Sequence, residues 1–333
     1  MLFHPLAFAR SARGACSLIE SSTPRPLARV AMVALAIVLA SCRPDFGERE
    51  SFVDRTQVLA VRIEPPEAKP GEAVTTELLV VSPAGVVDAP PANWAFCATP
   101  KLLTENGSVS AACLATGVVP IGAARGGVTT ALPANGCFDF GPETQSADVR
   151  PRDPDVTGGF FLPIRARLGS EISETGEAIT AFGFARLVCN LGRAPADLAQ
   201  RFRDEYKRNT NPMLLPIEAH LEGADTPLAL EAVPRGARVV LRAVWRPEDA
   251  ESYALYDLAN QAIITRRESL RVSWFTTAGS FEHDRSGRTD AEPESFTENV
   301  WTAPDEARVS HLSFVLRDAR GGVAFTSRAV TTR

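Results

Sequence analysis

The sequence predicts a mainly β protein: two antiparallel β-sandwich domains joined by a short helix. Three observations point there. Apolar and polar residues alternate in short runs bounded by proline and glycine, one stripe of apolar residues spaced by four lies midway along the chain, and four cysteines gather between positions 97 and 189. With 333 residues the chain is long enough to bury two cores.

Residues 1–41 stand outside that fold. Arg10, Arg13, Arg25 and Arg29 outweigh the single Glu20, and the apolar run from Val30 to Ala40 is far shorter than the roughly 18 to 20 residues a bilayer span requires. The run ends at Leu39-Ala40-Ser41-Cys42, which resembles the lipobox of bacterial lipoproteins: a branched apolar residue, two small residues that let a peptidase bind the extended backbone closely, and a thiol to take the diacylglyceryl group. The resemblance implies a signal peptide over 1–41, lipid attachment at Cys42, and a mature chain held on the membrane by acyl chains, each buried methylene adding about 0.8 kcal/mol. No later stretch approaches 18 consecutive apolar residues, so the expected location is the bacterial cell envelope, at the outer membrane.

Residues 42–55 are polar and charged and are expected to form a tether, with structure beginning near Thr56. In the first domain, 56–191, Leu59, Val61 and Ile63 alternate with Ala60, Arg62 and Glu64 as in a half-buried strand that Pro65-Pro66 stops. Lys69-Pro70-Gly71-Glu72 reads as a turn into a strand over 73–82, because proline fixes one φ and glycine follows it. Trp94 and Phe96 set a bulky apolar face beside Cys97. Stretches 99–112 and 121–157 are rich in small and turn-forming residues and read as long loops; strands resume over 160–168 and 178–189.

The linker, 192–212, holds the helix. Pro195 suits its first turn, Asp197 its positive end and Lys207 and Arg208 its negative end, while Leu198, Phe202 and Tyr206 form the apolar stripe. Its expected role is that of a hinge or spacer. In the second domain, 213–333, strands read over 214–221, 238–245, 270–275, 298–302, 309–316 and 323–330, with turns at Pro234-Arg235-Gly236 and Gly321-Gly322. Gly71 and Gly236, like Val74 and Val239, lie 165 positions apart, a weak internal repeat.

With Cys16 in the leader and Cys42 assigned to lipid, Cys97, Cys113, Cys137 and Cys189 remain. Three pairings are possible. We favour the local one, Cys97 with Cys113 and Cys137 with Cys189, whose loops of 15 and 51 residues would contribute about 3 and about 4 kcal/mol by chain entropy. A zinc site lacks both a C-x-x-C and a nearby histidine pair.

Ser273-Trp274-Phe275-Thr276-Thr277-Ala278-Gly279-Ser280-Phe281, Val300-Trp301-Thr302-Ala303-Pro304-Asp305 and Asp318-Ala319-Arg320-Gly321 make 213–333 resemble bacterial immunoglobulin-like domains. Over 56–190 the likeness reaches only the first two strands and Trp94. The layout as a whole is similar to Ig-like lipoproteins of high-GC Gram-negative bacteria. The resemblance implies two Ig-like sandwiches and brings no catalytic residues, since such domains serve as spacers, adhesins and ligand-binding modules alike.

A search for chemistry agrees with a non-enzyme. G-x-S-x-G, H-E-x-x-H, P-loop and G-x-G-x-x-G patterns are missing, and after the leader the only histidines are His220, His283 and His311. Glu248, Asp249 and Glu251, like Asp290, Glu292 and Glu294, read as exposed loop charge. Asp153, Asp155 and Thr157 with Gly158 form the first half of a calcium loop, but Ile164 stands where a bidentate glutamate is required. Only a remote carboxylate such as Asp148 or Asp139 would complete the site, and an Asx-turn that starts the Phe160 strand is preferred. Calcium is the one cofactor the sequence admits.

The chain has 35 basic and 40 acidic groups; losing the leader removes four arginines and one glutamate, leaving a net charge of about −8. That balance lacks the excess a nucleic-acid partner needs. The expected partners are the membrane, through the lipid, and an envelope protein or polysaccharide, in a non-catalytic binding, spacer or structural role. A solute-binding or enzymatic lipoprotein would need a cleft of about 300 Å³ or more between the domains near the helix. A subunit of a larger envelope assembly would show an exposed apolar patch or an unpaired edge strand.

Overall fold

The computed structural model describes residues 49–88, 90–99, 101, 109–139, 158–191 and 194–333; Cys42 with its lipobox, the calcium pattern Asp153, Asp155 and Thr157, and Asp148 lie outside them. The structure is mainly β and largely antiparallel.

The first half contains β1 (Gln57–Glu64), β2 (Glu67–Ala68), β3 (Ala73–Ser82), β4 (Gly85–Val86), β5 (Pro91–Cys97), β6 (Val118–Arg125), β7 (Thr129–Ala131), the short helix α1 (Gly136–Asp139), β8 (Gly159–Leu168) and β9 (Ile179–Val188). Strands β1, β4 and β7 all pair with β3, and this sheet faces a second one ordered β2-β9-β8-β5-β6, whose β2–β9 pairing is parallel. Alternation explains the packing: Val61, Ile63, Val74 and Val80 point inward and meet Trp94, Leu162, Ile164 and Leu187. Cys97 is bonded to Cys113 and Cys137 to Cys189, the latter tying α1 to the end of β9.

The second half contains α2 (Ala196–Glu205), β10 (Glu218–Leu221), β11 (Arg238–Val244), β12 (Ser252–Asp257), β13 (Ala262–Arg267), β14 (Leu270–Thr276), β15 (Ser280–Phe281), β16 (Arg285–Arg288), β17 (Phe296–Thr302), β18 (Arg308–Asp318) and β19 (Val323–Thr332). Sheets β10-β11-β17-β15 and β16-β14-β18-β19 enclose Val239, Leu241, Trp301, Trp274 and Phe314. Trp274 meets Phe314 edge to face, ring centroids 5.5 Å apart. Gly71 and Gly236 both adopt a left-handed φ in the turns before β3 and β11, and Val74 and Val239, three residues on, are both buried.

A third apolar core joins the two sandwiches. Leu59, Ala60, Leu79 and Val81 pack on Val315 and Val323, with Phe275 and Phe325 at the edge. Strand β3 serves both cores, so Leu78, Leu79, Val80 and Val81 are buried in succession, as a strand covered on both faces must be. In β1 the register slips between Val58 and Ala60, leaving Leu59 unpaired in a bulge. The bulge turns Leu59 toward the other sandwich and leaves Val61 and Ile63 facing their own.

Several expectations are corrected. The tether does not run free to residue 55: Ser51 and Val53 are buried, and the backbone pairs Val53 N–H with Thr276 O at 2.9 Å and Thr276 N–H with Ser51 O at 2.8 Å. Apolar Val53 has a place in the third core, which the charges around it conceal. Within the stretch read as loop, β6 runs on to Arg125 and β7 forms; both are exposed edge strands in which Pro120, Gly122 and small residues erase the alternation. The β12–β13 hairpin was not foreseen, because Gln261 and not glycine holds its left-handed turn position, φ 48°.

Helix α2 lies where the stripe predicts. It ends at Glu205, so Lys207 and Arg208 fall just beyond it, and Ala199 and Phe202 pack on Ala254 and Tyr256 of the hairpin. Among the described residues no helix is long and apolar enough to cross a membrane.

Candidate functional site

Strand pairing gathers arginines that the sequence scatters. Along β16-β14-β18, Arg271 sits directly opposite Arg317, and Ser273 opposite Arg285. Directly paired residues share a sheet face, as do positions two apart, so three guanidinium groups stand together on the outer face of this sheet. Beside them opens a groove of about 920 Å³, walled by Leu59 of β1 on one side and by Tyr253, Arg266 and Arg267 of the hairpin on the other. Six arginines and two aspartates line it, in a chain whose overall charge is negative.

The arginines differ in their partners. Arg266 pairs with Asp290 at 3.5 Å, and Arg288 lies 3.8 Å from Glu294 with its guanidinium over the Phe296 ring. Arg285 reaches Glu50 of the N-terminal stretch at 2.7 Å, both side chains exposed. Arg271 is exposed and, among the described residues, has no ionic or hydrogen-bonded partner. Arg317 donates to Leu59 O at 2.9 Å, a carbonyl the β1 bulge leaves free of ladder pairing, and no carboxylate among the described residues forms an ion pair with it. Burial, and then the charge of Arg285, pull its pKa below the ordinary guanidinium value.

Behind the groove lies a closed network. The turn Asp318-Ala319-Arg320-Gly321 is held by Asp318, whose Oδ1 accepts from Arg320 N–H and Gly322 N–H at 2.8 Å each. Glycine is required at position 321, where φ is 98° and an added Cβ would lie 3.0 Å from the Phe161 ring. The turn sends Arg320 inward, to Glu268 at 2.6 Å, Glu251 at 2.5 Å and the Lys207 carbonyl at 2.7 Å, with its guanidinium 4.4 Å above the Tyr253 ring.

Glu67 completes the network from the first sandwich. It lies 3.3 Å from Arg186, its β9 ladder partner, and accepts from Tyr206 OH at 2.8 Å and Asn209 N–H at 2.7 Å. Glu67, Arg186, Glu268 and Arg320 are all nearly inaccessible. Burial pushes Glu268 up to about 8, with Asp318 adding to the effect and Arg320 opposing it; burial also raises Tyr206 to about 12. A network so enclosed holds elements together and admits no substrate.

The residues singled out in sequence do not converge. His220 and His311 are half-buried in β10 and β18, and His283 is exposed in a loop. Asp139 is exposed at the end of α1. Two acidic groups read as loop charge are corrected: Asp249 is buried and accepts from Met213 N–H at 2.9 Å and from Arg246 at 2.6 Å, and Glu251 pairs with Arg320. Among the described residues no group of three or more histidine, cysteine or acidic side chains is arranged to hold a metal. The cleft between the sandwiches opens on the hairpin side, whereas the helix side is filled by Tyr206 and Arg320.

No family model matches this sequence, and no curated protein matches it. Among solved structures the chain is similar to the D00–D0 domain of intimin, at 9% identity and TM-score 0.24 over 82% of this chain and 100% of that one. It is similar to the fibronectin(III)-like modules of Clostridium thermocellum CbhA, at 12% and 0.22 over 82% and 93%, and to the Yersinia pseudotuberculosis adhesin InvE, at 11% and 0.22 over 86% and 62%. With TM-scores this low, the fold rests on the chain's own sheet order and cores.

Proposed function

We propose that this chain is an exported, lipid-anchored protein of the bacterial envelope with a non-catalytic binding role, its two sandwiches fixed as one platform. The observation that carries the reading is Arg320, a single buried guanidinium that joins carboxylates of the hairpin region to the linker carbonyl of Lys207 and lies 3.8 Å from Glu67 of the first sandwich. Such a junction keeps the groove walls in register, as a binding surface needs and a flexible spacer does not. Two disulfides support an oxidising compartment. The charged leader and Leu39-Ala40-Ser41-Cys42 support cleavage after residue 41 and acylation of Cys42. The division that accompanies this reading is signal peptide 1–41, sandwiches over 56–191 and 213–333, and linker 192–212.

Mass spectrometry of the N-terminal peptide from the membrane fraction tests the proposal. A diacylglyceryl-modified Cys42 is expected, and Cys42→Ser should leave the chain unlipidated. A free Cys42 thiol in a chain that keeps its leader would overturn it.

A further inference from the structure

The groove floor is an arrangement that folding alone disfavours. Arg271 and Arg317 face each other directly across two strands, and like charges so placed destabilise a sheet. Arg285 adds a third positive charge on the same face. The nearest relief is Glu50, which reaches Arg285 from the stretch before β1, whereas Arg271 is unpaired among the described residues and Arg317 has a backbone carbonyl. Three guanidinium groups presenting nitrogen donors to an open groove are satisfied by a ligand with several anionic oxygens.

The remaining lining selects among polyanions. The exposed Ser269 hydroxyl and the Ser273 hydroxyl add groups that can donate or accept, and no deep apolar recess accompanies them. An acidic peptide lying on this face would need acceptors for its backbone N–H groups, and guanidinium offers none. A sugar chain presents ether and carboxylate oxygens, which accept, and hydroxyls that rotate to do either. A groove of about 920 Å³ takes a short oligosaccharide.

We propose that the groove between the β12–β13 hairpin and β1 binds an acidic oligosaccharide, its anionic groups held by Arg271, Arg285 and Arg317 and its hydroxyls by Ser269 and Ser273. Glu50 occupies part of the same site from within the chain, so ligand and Glu50 compete for Arg285. The inference rests on the binding role proposed above and names the class of ligand.

Titration calorimetry of the purified full chain in detergent micelles provides the test, with oligogalacturonate and dextran sulfate as acidic probes, maltohexaose as neutral control and poly-glutamate as acidic peptide. Binding to at least one acidic glycan is expected, weakened at least tenfold by the double variant Arg271→Gln/Arg285→Gln at unchanged melting temperature. Glu50→Gln, which removes no arginine, is expected to tighten binding several-fold. The proposal is overturned if neither acidic glycan binds, if maltohexaose or poly-glutamate binds as tightly, or if the double variant or Glu50→Gln leaves affinity unchanged. The state of Cys42 is read separately by mass, so a failed groove and a failed anchor are distinguishable.

Discussion

Glu268 lies in the two-residue link between β13 and β14, with Arg320, Asp318, Glu251, Tyr206 and Tyr253 around it. One oxygen accepts from Arg320 at 2.6 Å while the other is buried without a partner. The desolvated second oxygen explains why burial outweighs the neighbouring cation and lifts this carboxyl from 4.5 to about 8. A group whose folded pKa is raised binds its proton more tightly folded than unfolded. Its stabilising contribution is therefore complete below about pH 4.5 and fades as pH climbs to about 8, the two limits set by the unfolded and folded values. Asp318, also raised by burial, acts in the same direction. Thermal melts are expected to shift downward between pH 5 and pH 8, and Glu268→Gln, which keeps an acceptor for Arg320, should flatten most of that slope. A variant with the same slope as the parent would show that Glu268 is not the titrating group.

At the scale of elements, the disulfide between Cys137 and Cys189 has the longest lever. It fastens α1, a helix too short to be stable alone, to the end of β9 across 52 positions. Cys137→Ala/Cys189→Ala is expected to lower stability by about 2–4 kcal/mol in chemical denaturation, more than loss of the 16-position Cys97–Cys113 bridge. The elements also explain what could be read in advance. Strand β3 announces itself through Pro70-Gly71 before it and an apolar run within it, and α2 through Leu198, Phe202 and Tyr206. Strands β12 and β13 meet at a turn held by the Asp257 carboxylate, which accepts from Ala259 N–H and Asn260 N–H, so the usual glycine mark is missing. The groove has no local mark at all. Arg271, Arg285 and Arg317 come from separate strands, and only the register of β16-β14-β18 brings them side by side. Arg320 was legible as part of a turn, but its inward direction follows from the packing of four distant segments.

For the whole molecule, three cores share strands. Strands β1 and β3 contribute to the first and third, and β14 and β18 to the second and third, so neither sandwich can open without exposing apolar surface of the other. Residues 49–333 are accordingly expected to melt in one calorimetric transition, and two resolved transitions would contradict the shared-core account. Arg320→Met should lower stability by about 3–5 kcal/mol, because Glu67 and Glu268 lose a buried cation, and adding Glu268→Gln should recover part of the loss.

The stretch just before β1 clamps to the far end of β14: Val53 and Ser51 bond Thr276, and Arg49 reaches the Phe281 carbonyl at 2.5 Å. With Cys42 acylated, tension from the bilayer enters the protein there, ahead of β1, on the same strand that carries Arg271. Drag on a captured sugar chain and the opposing pull of the anchor then meet along a few residues of a single ribbon, and the amino-terminal sandwich is shielded from the load.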